Sequence, residues 1–331
     1  MSNSIMAQEA GSSPAVIANQ RAENQQICRT LGDKFRQSPP AGVMMIGRGT
    51  SDHAGVYAKY LFEIGCNVPV FAAAPSVAGV YNATLNLHNF VAIVISQSGK
   101  SPDILHQVKL AKAGGAFCIA LVNDTHSPLV ALVDAVIPLH AGEEKAVAAT
   151  KSYLSSLSAI CQLYAYWKQD DDLKAALLTL PKLMTTAVEA SPLLTADKLA
   201  GVAHCVVLGR GFGYAIAREI ALKLKEVLGI HAEAFSSAEF LHGPVTLVEN
   251  KLCVLNVSIN DESAQVHNKQ VEDVIQRGAR VVNINLLSSS HPRIQALAIM
   301  QRFYLDIEQV AQARGVDPDT PPGLKKVTET V

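Results

Sequence analysis

A chain of 331 residues with a formal net charge of −1, 17% charged and 49% hydrophobic residues has room for two globular units with sizeable cores. Near-neutral charge, no basic run and a single Trp argue against a nucleic-acid surface, and the lack of any run of eighteen apolar residues argues against a membrane span. The polar start, Met1 to Ala15, has no signal-peptide pattern, and the six dispersed cysteines (Cys28, Cys66, Cys118, Cys161, Cys205, Cys253) without C-x-x-C fit buried thiols of a reducing cytoplasm.

In chain order, Ile17 to Phe35 predicts a helix stopped by Pro39-Pro40, so residues 1–40 are expected to form a helical lead-in. Val43 to Ile46 is an apolar strand that runs into Gly47-Arg48-Gly49-Thr50-Ser51 and a helix from Asp52 to about Ile64. Phe90 to Ile95 is a buried strand that delivers Ser96-Gln97-Ser98-Gly99-Lys100-Ser101 to a helix opened by Pro102 and Asp103. Leu105 to Ala113 continues that helical pattern, and after Gly114-Gly115 the strand Ala116 to Val122 follows. Asp170-Asp171-Asp172 opens a helical stretch to about Glu189, with Leu173, Leu177, Leu178, Leu180 and Leu183 as its apolar face.

The second half repeats the first. Cys205 to Leu208 runs into Gly209-Arg210-Gly211-Phe212-Gly213 and a helix from Tyr214 to about Leu228; Leu252 to Ser258 is a strand, Val266 to Gln276 a helix, and Arg280 to Asn285 a strand after Gly278. Gly47 and Gly209 stand 162 residues apart, as do Ser96 and Ser258. Strand and helix alternate in both copies, which predicts an α/β protein with two doubly wound parallel-sheet units, at 41–170 and 200–312, joined by a linker helix in 171–199. The tail, 313–331, carries Pro318, Pro321, Pro322 and Gly323 and cannot be a regular helix.

Hydroxyls and glycines placed between a buried strand and a helix N-terminus offer O–H and free N–H groups to an anion, with the helix dipole adding favourable potential. Ser96 to Ser101 therefore predicts a cradle for a small phosphorylated metabolite, joined by Gly49, Thr50 and Ser51 on the neighbouring loop; an ordinary strand-to-helix turn has the same local pattern. The P-loop spacing is absent, and both Gly-rich turns fail the dinucleotide fingerprint, having Asp52 and Tyr214 where its third Gly belongs. The second copy has Asn260-Asp261-Glu262 at the corresponding place, where acidic groups repel phosphate. Ten scattered histidines without ligand spacing predict no metal.

These motifs together resemble the tandem sugar isomerase (SIS) domain family, and the chain is similar to the isomerase half of glucosamine-6-phosphate synthase from about residue 41 onward. The segments that carry the resemblance are GRGTS at 47–51, SQSGKSPD at 96–103, E-x-x-V-A-A-T-K at 144–151, EIALKLKE at 219–226, HAEAF at 231–235, EFLHGP at 239–244 and LKKV at 324–327. Two departures stand out: Ala149 replaces a Ser that hydrogen-bonds the sugar in the family, and Phe212 replaces an Asp in the second glycine turn. The sequence carries no glutaminase half, and no Cys follows Met1.

The resemblance implies aldose–ketose chemistry on an amino-sugar phosphate without a cofactor. It assigns Glu226 as the carrier of the proton between carbon 2 and carbon 1, if burial lifts its pKa toward neutrality, and Lys223 as the stabiliser of negative charge on the enolamine oxygen. Their i, i+3 spacing, with Glu219 a turn earlier, also fits a solvated Glu/Lys helix face. The resemblance further implies that His242 opens the sugar ring from the neighbouring subunit of a homodimer, although a lone loop His is commonly a surface residue. Glu144 and Val147 would begin the helix that carries Thr150 and Lys151 and would lie at the sugar beside Ala149, while Lys326 would sit in a tail that closes over the substrate.

The reading that follows is a cytoplasmic glucosamine-6-phosphate deaminase acting on a small-molecule sugar phosphate. A galactosamine-6-phosphate deaminase or isomerase, a fructosamine-6-phosphate deglycase and a sugar-phosphate-binding regulator without chemistry are the alternatives.

Overall fold

The computed structural model describes residues 4–286, 290–324 and 326. Two compact units emerge, and each trades short segments of sequence with the other: the amino-terminal unit comprises Ala15–Glu144, Lys151–Leu178 and the end of the chain from Lys325, and the carboxy-terminal unit comprises Met1–Pro14, Lys145–Thr150 and Thr179–Leu324.

The elements before the first sheet are helices α1 (Ile5–Glu23) and α2 (Gln25–Gln37). This corrects the single expected helix from Ile17 to Phe35. The buried stripe of α1 runs Met6, Ala10, Ser13, Ile17, Gln20, a helical spacing that mixes apolar with polar or small residues and so escapes a hydrophobicity pattern. Pro14 lies inside α1 and has no N–H to give the carbonyl of Ala10; the side-chain amide of Gln301 donates to that oxygen instead, at 2.8 Å. The amino end of α1 is capped from afar, because the carboxylate of Asp319 accepts from the N–H groups of Ile5 and Met6 at 2.8 and 2.7 Å.

The amino-terminal unit continues with β1 (Gly42–Ile46), α3 (Thr50–Cys66), β2 (Val70–Ala72), α4 (Pro75–Gly79), β3 (Phe90–Ser96), α5 (Pro102–Ala113), β4 (Phe117–Val122), β5 (Ala135–Pro138) and α6 (Lys151–Lys168). Its described strands form one parallel sheet in the order β2-β1-β3-β4-β5. β1 is buried along its whole length and β3 beyond Phe90, as a parallel strand covered on both faces requires. On one side Met44, Ile46, Ala92, Val94, Ala120 and Val122 form a core with Ile104 and Val108 of α5.

After a helix α7 (Asp171–Glu189), the carboxy-terminal unit contains β6 (His204–Gly209), α8 (Phe212–Leu228), β7 (His231–Ser236), α9 (Ser237–Phe240), β8 (Cys253–Val257), α10 (Ala264–Gln276), β9 (Arg280–Ile284) and α11 (Pro292–Ala313). Its described strands are again parallel, in the order β7-β6-β8-β9. The registers repeat: Val43 faces Val70 and Val91 in the first sheet, and Cys205 faces Ala232 and Cys253 in the second, each pair of equivalents 162 residues apart. The internal duplication read from the sequence is thus a duplication of strand pairing. No described helix is long and apolar enough to cross a membrane.

Candidate functional site

In the first sheet the strand order turns back between β1 and β3, the switch point where open α/β sheets leave a crevice beyond the strand carboxyl ends. Both predicted cradle loops fall there. A recess of about 340 Å³ is lined by Gly49 and Ser51 after β1, by Ser96, Gln97, Ser98 and Ser101 after β3, and by Lys326. Thr50 opens α3 and is not among the lining residues.

The loop after β3 is held open by its own hydroxyls. Ser96 Oγ accepts from the N–H of Gly99 at 2.9 Å and Ser98 Oγ from that of Lys100 at 3.3 Å. Gly99 has φ +63°, and a Cβ there would stand 2.1 Å from Ser127 Oγ, so only glycine fits the turn. Ser101 precedes α5 without making a side-chain cap, and its hydroxyl borders the recess at the positive end of the α5 dipole, while the N–H of Ile104 is held by Asp103 Oδ1 at 2.9 Å. Arg48 and Asp103, passed over as site residues in the sequence, also line the recess; Arg48 Nε lies 3.6 Å from the buried carboxylate of Asp103. Their signal was present in GRGTS and SPD, but only the strand order brings the two loops side by side.

Glu144 is buried, yet it begins no helix, contrary to expectation. Residues 141–150 are irregular and α6 starts at Lys151. The N–H groups of Lys145 and Val147 are engaged by the side chain of Glu9 and the carbonyl of Asp319, which takes them out of any helical ladder. Glu144 instead caps α6, accepting from the N–H of Ser152 at 3.2 Å and its hydroxyl at 2.8 Å. Lys326 Nζ approaches the same carboxylate at 3.4 Å. Lys325 and Val327 of the tail motif lie outside the described residues, as do 328–331. Val147 and Ala149 belong to the irregular segment counted in the carboxy-terminal unit, both half-buried.

In the carboxy-terminal unit α8 carries a charged cluster. Lys223, 1% exposed, reaches Glu226 Oε2 at 2.6 Å and Glu219 Oε1 at 3.2 Å, and the hydroxyl of Tyr304 on α11 donates to Glu219 Oε1 at 3.1 Å. Burial pulls the pKa of Lys223 down, but the two carboxylates outweigh it and the net shift is upward, so the ammonium stays charged. Glu226 is 24% exposed, and its other oxygen, Oε1, accepts from no donor among the described residues. This is no solvated Glu/Lys face. His242 is exposed in the turn between α9 and Pro244.

The second copy of the cradle loop is closed on itself. Asp261 accepts from the N–H and hydroxyl of Ser263 at 2.8 and 2.6 Å, and Glu262 is gripped by Arg293 at 2.7 and 2.8 Å, which holds its pKa down at about 2. Among the described residues no cluster of His, Cys, Asp and Glu has the makings of a metal site.

The family profile described as SIS domain matches residues 40–166 and 198–298. The chain is similar to isomerizing glutamine–fructose-6-phosphate aminotransferases, 36% identical over 247 residues to that of Treponema pallidum, covering 70% of this chain and 38% of the relative. With that of Methanothermobacter thermautotrophicus the identity is 32% over 302 residues, 86% of this chain and 51% of the relative. The chain therefore spans about half the length, or less, of these curated relatives. Among solved structures, a candidate phosphosugar isomerase from Silicibacter pomeroyi DSS-3 superposes with a TM-score of 0.89 at 34% identity, over 96% of this chain and 100% of that one. Glucosamine-6-phosphate deaminase of Thermotoga maritima shares the fold, with a TM-score of 0.73 at 20% identity over 95% of this chain and 100% of that one.

Proposed function

Because the chain belongs to the SIS domain family, we propose that it acts on an amino-sugar phosphate as an isomerising deaminase, converting glucosamine 6-phosphate and water to fructose 6-phosphate and ammonia. The observation that carries this reading is the partly buried carboxylate of Glu226, with one oxygen fixed on a buried, charged lysine and the other without a donor among the described residues. A carboxylate so held is a proton carrier in waiting. It takes the proton from carbon 2 of the open-chain sugar, and the electron pair moves toward the carbon 1 oxygen to give an enolamine; returning the proton to carbon 1, while an amine proton passes to that oxygen, leaves an imine at carbon 2, which water hydrolyses to the ketone and ammonia. Lys223 holds Glu226 in place, and its charge favours the developing enolamine oxygen.

The serine-lined recess beyond β1 and β3 suits the 6-phosphate, with hydroxyls, backbone N–H groups and the dipole of α5 as its ligands and Arg48 as an added cation. Glu144, Lys326, Val147 and Ala149 would meet the sugar itself. His242 would open the pyranose ring, supplied by the other subunit of a homodimer. Proton transfer and imine hydrolysis need no redox group, and six free thiols, five of them buried, are consistent with a cytoplasmic protein.

The test is to incubate the protein separately with glucosamine 6-phosphate, galactosamine 6-phosphate and a fructosamine 6-phosphate and follow ammonia and fructose 6-phosphate. Turnover of the first is expected, and it should vanish in Glu226→Gln, which keeps the size of the group and removes its basicity. Wild-type turnover by that variant, or release of products only from the fructosamine adduct, overturns the assignment.

A further inference from the structure

The two copies of the repeat also differ at the amino ends of their sheets, opposite the glycine turns. In the amino-terminal unit this end is filled by rings: Phe71 and Phe90 meet edge to face at 6.1 Å between centroids, and Phe90 lies so close to Gly42 that a Cβ there would stand 2.4 Å from its ring. Phe117, next in the sheet, packs on Phe35. The shared strand register maps Gly42, Phe71 and Phe90 onto His204, Glu233 and Leu252, and pairs Arg280 with Cys253 as Phe117 is paired with Val91. Three aromatic rings have thus become a carboxylate, a leucine and an arginine, and the space they would occupy is empty: a recess of about 890 Å³ opens at the amino ends of β6, β7, β8 and β9.

The replacements are charged in a consistent sense. Lys251 and Arg280 line the recess, and neither makes a side-chain hydrogen bond or ion pair within the described residues, against the single carboxylate of Glu233. Lys251 sits in the left-handed region at φ +56°, two residues before β8; Asn89 holds the equivalent place at φ +61° in the first copy, where the short polar side chain suits that conformation better than lysine does. The costlier residue thus stands where a cation faces the recess, the kind of local strain that accompanies binding sites. Beside them the imidazoles of His204 and His231 meet edge to face at 5.6 Å and present ring surface.

We propose that this recess binds a small organic anion carrying a planar ring, its negative group between Lys251 and Arg280 and its ring against His204, His231 and Leu252. The volume is that of a small-molecule site, and two unpaired cations on a partly apolar wall favour an amphipathic anion over a purely apolar or purely inorganic one. The site is separate from the reaction proposed above, and its test does not depend on that reaction.

The probe is 1-anilinonaphthalene-8-sulfonate, titrated into the full chain by fluorescence, with the uncharged N-phenyl-1-naphthylamine as its partner. One saturable sulfonate site is expected. The double variant Lys251→Glu, Arg280→Glu should weaken the sulfonate at least about tenfold, the effect of reversing two attracting charges, and leave the uncharged dye nearly unchanged. Rebuilding the first copy with His204→Gly, Glu233→Phe and Leu252→Phe should close the recess to both dyes, and Ser98→Ala with Ser101→Ala in the other unit should affect neither. Far-UV circular dichroism confirms that each variant is folded. Absence of a saturable site in the unmodified chain, equal affinity in the charge-reversed variant, or loss of binding in the serine variant overturns the proposal.

Discussion

The ammonium of Lys326 stands 3.4 Å from Oε2 of Glu144 and borders the serine-lined recess beyond the first sheet. Glu144 keeps the N–H and hydroxyl of Ser152 if that lysine is lost, so its buried carboxylate retains two hydrogen-bond donors. Lys326→Ala should therefore change the melting temperature by no more than a degree or two while lowering turnover of glucosamine 6-phosphate by about 10²-fold, the usual cost of removing a group that faces developing charge. A matched loss of stability and activity would make Lys326 a structural tether.

Ser98 and Ser101 hold their proposed ligand through neutral hydroxyls. Each such bond contributes about 0.5–1.5 kcal/mol, so Ser98→Ala with Ser101→Ala should raise KM roughly five- to a hundredfold and leave kcat nearly intact. Initial-rate kinetics decide it, and an unchanged KM moves the phosphate to another place.

A pH dependence of stability follows from His267. It is 2% exposed, with Nδ1 2.9 Å from Ser237 Oγ and Nε2 2.7 Å from Asn256 Oδ1. Burial first, and the charge of Arg210 second, lower its pKa from 6.5 to about 4. Between those values the unfolded chain binds the proton and the native one does not, so this group's stabilising contribution is full above pH 6.5 and is lost as pH falls toward 4. The loss is at most about 3 kcal/mol. Urea unfolding across that window should show a shallower slope in His267→Gln than in the wild type; parallel curves would mean that His267 is protonated without strain.

His242 is exposed on a turn, where another subunit has access to it. If it acts across a dimer, His242→Ala and Glu226→Gln chains, each inactive alone, should regain activity when mixed and allowed to exchange, because one of the two composite sites receives both wild-type groups. A tagged-chain pull-down reports the exchange in the same tube. Mixed dimers that form and stay inactive place both groups in one chain's site.

Local pattern made the strand, hydroxyl loop and helix opening of the candidate cradle legible, since they are contiguous from Phe90 to Asp103. The Lys223–Glu226 spacing was equally local, but its burial was not: Tyr304, 85 residues from Glu219, closes the cluster. The short strands β2, β5 and β7 gave no separate signal, being three to six residues long with exposed positions such as Phe71, His231 and Glu233. Helix α1 was mistaken at its start because Ser13 and Gln20 occupy its buried face and Pro14 lies within it; Gln20 and Pro14 are tolerated through tertiary partners that no window of sequence contains, Ser155 for Gln20 and Gln301 for the Ala10 carbonyl that Pro14 leaves without a donor. The helix expected at Glu144 fails for the same reason, its backbone donors being claimed by Glu9 and Asp319.

The ties of the first helix also set a schedule. Ser4 donates to Glu308, 304 residues later, Ala10 receives from Gln301, and Ile5 and Met6 wait for Asp319. On a ribosome adding about 5–20 residues per second, the amino terminus emerges first and finds these partners last, after roughly 15–60 seconds. Residues 4–14 are thus born without their partners, and the carboxy-terminal unit can be completed only after synthesis ends. A nascent chain stalled before Gln301 should leave this segment open to proteases or chaperones, and a shortened chain that stops at the end of the first repeat would strand it permanently.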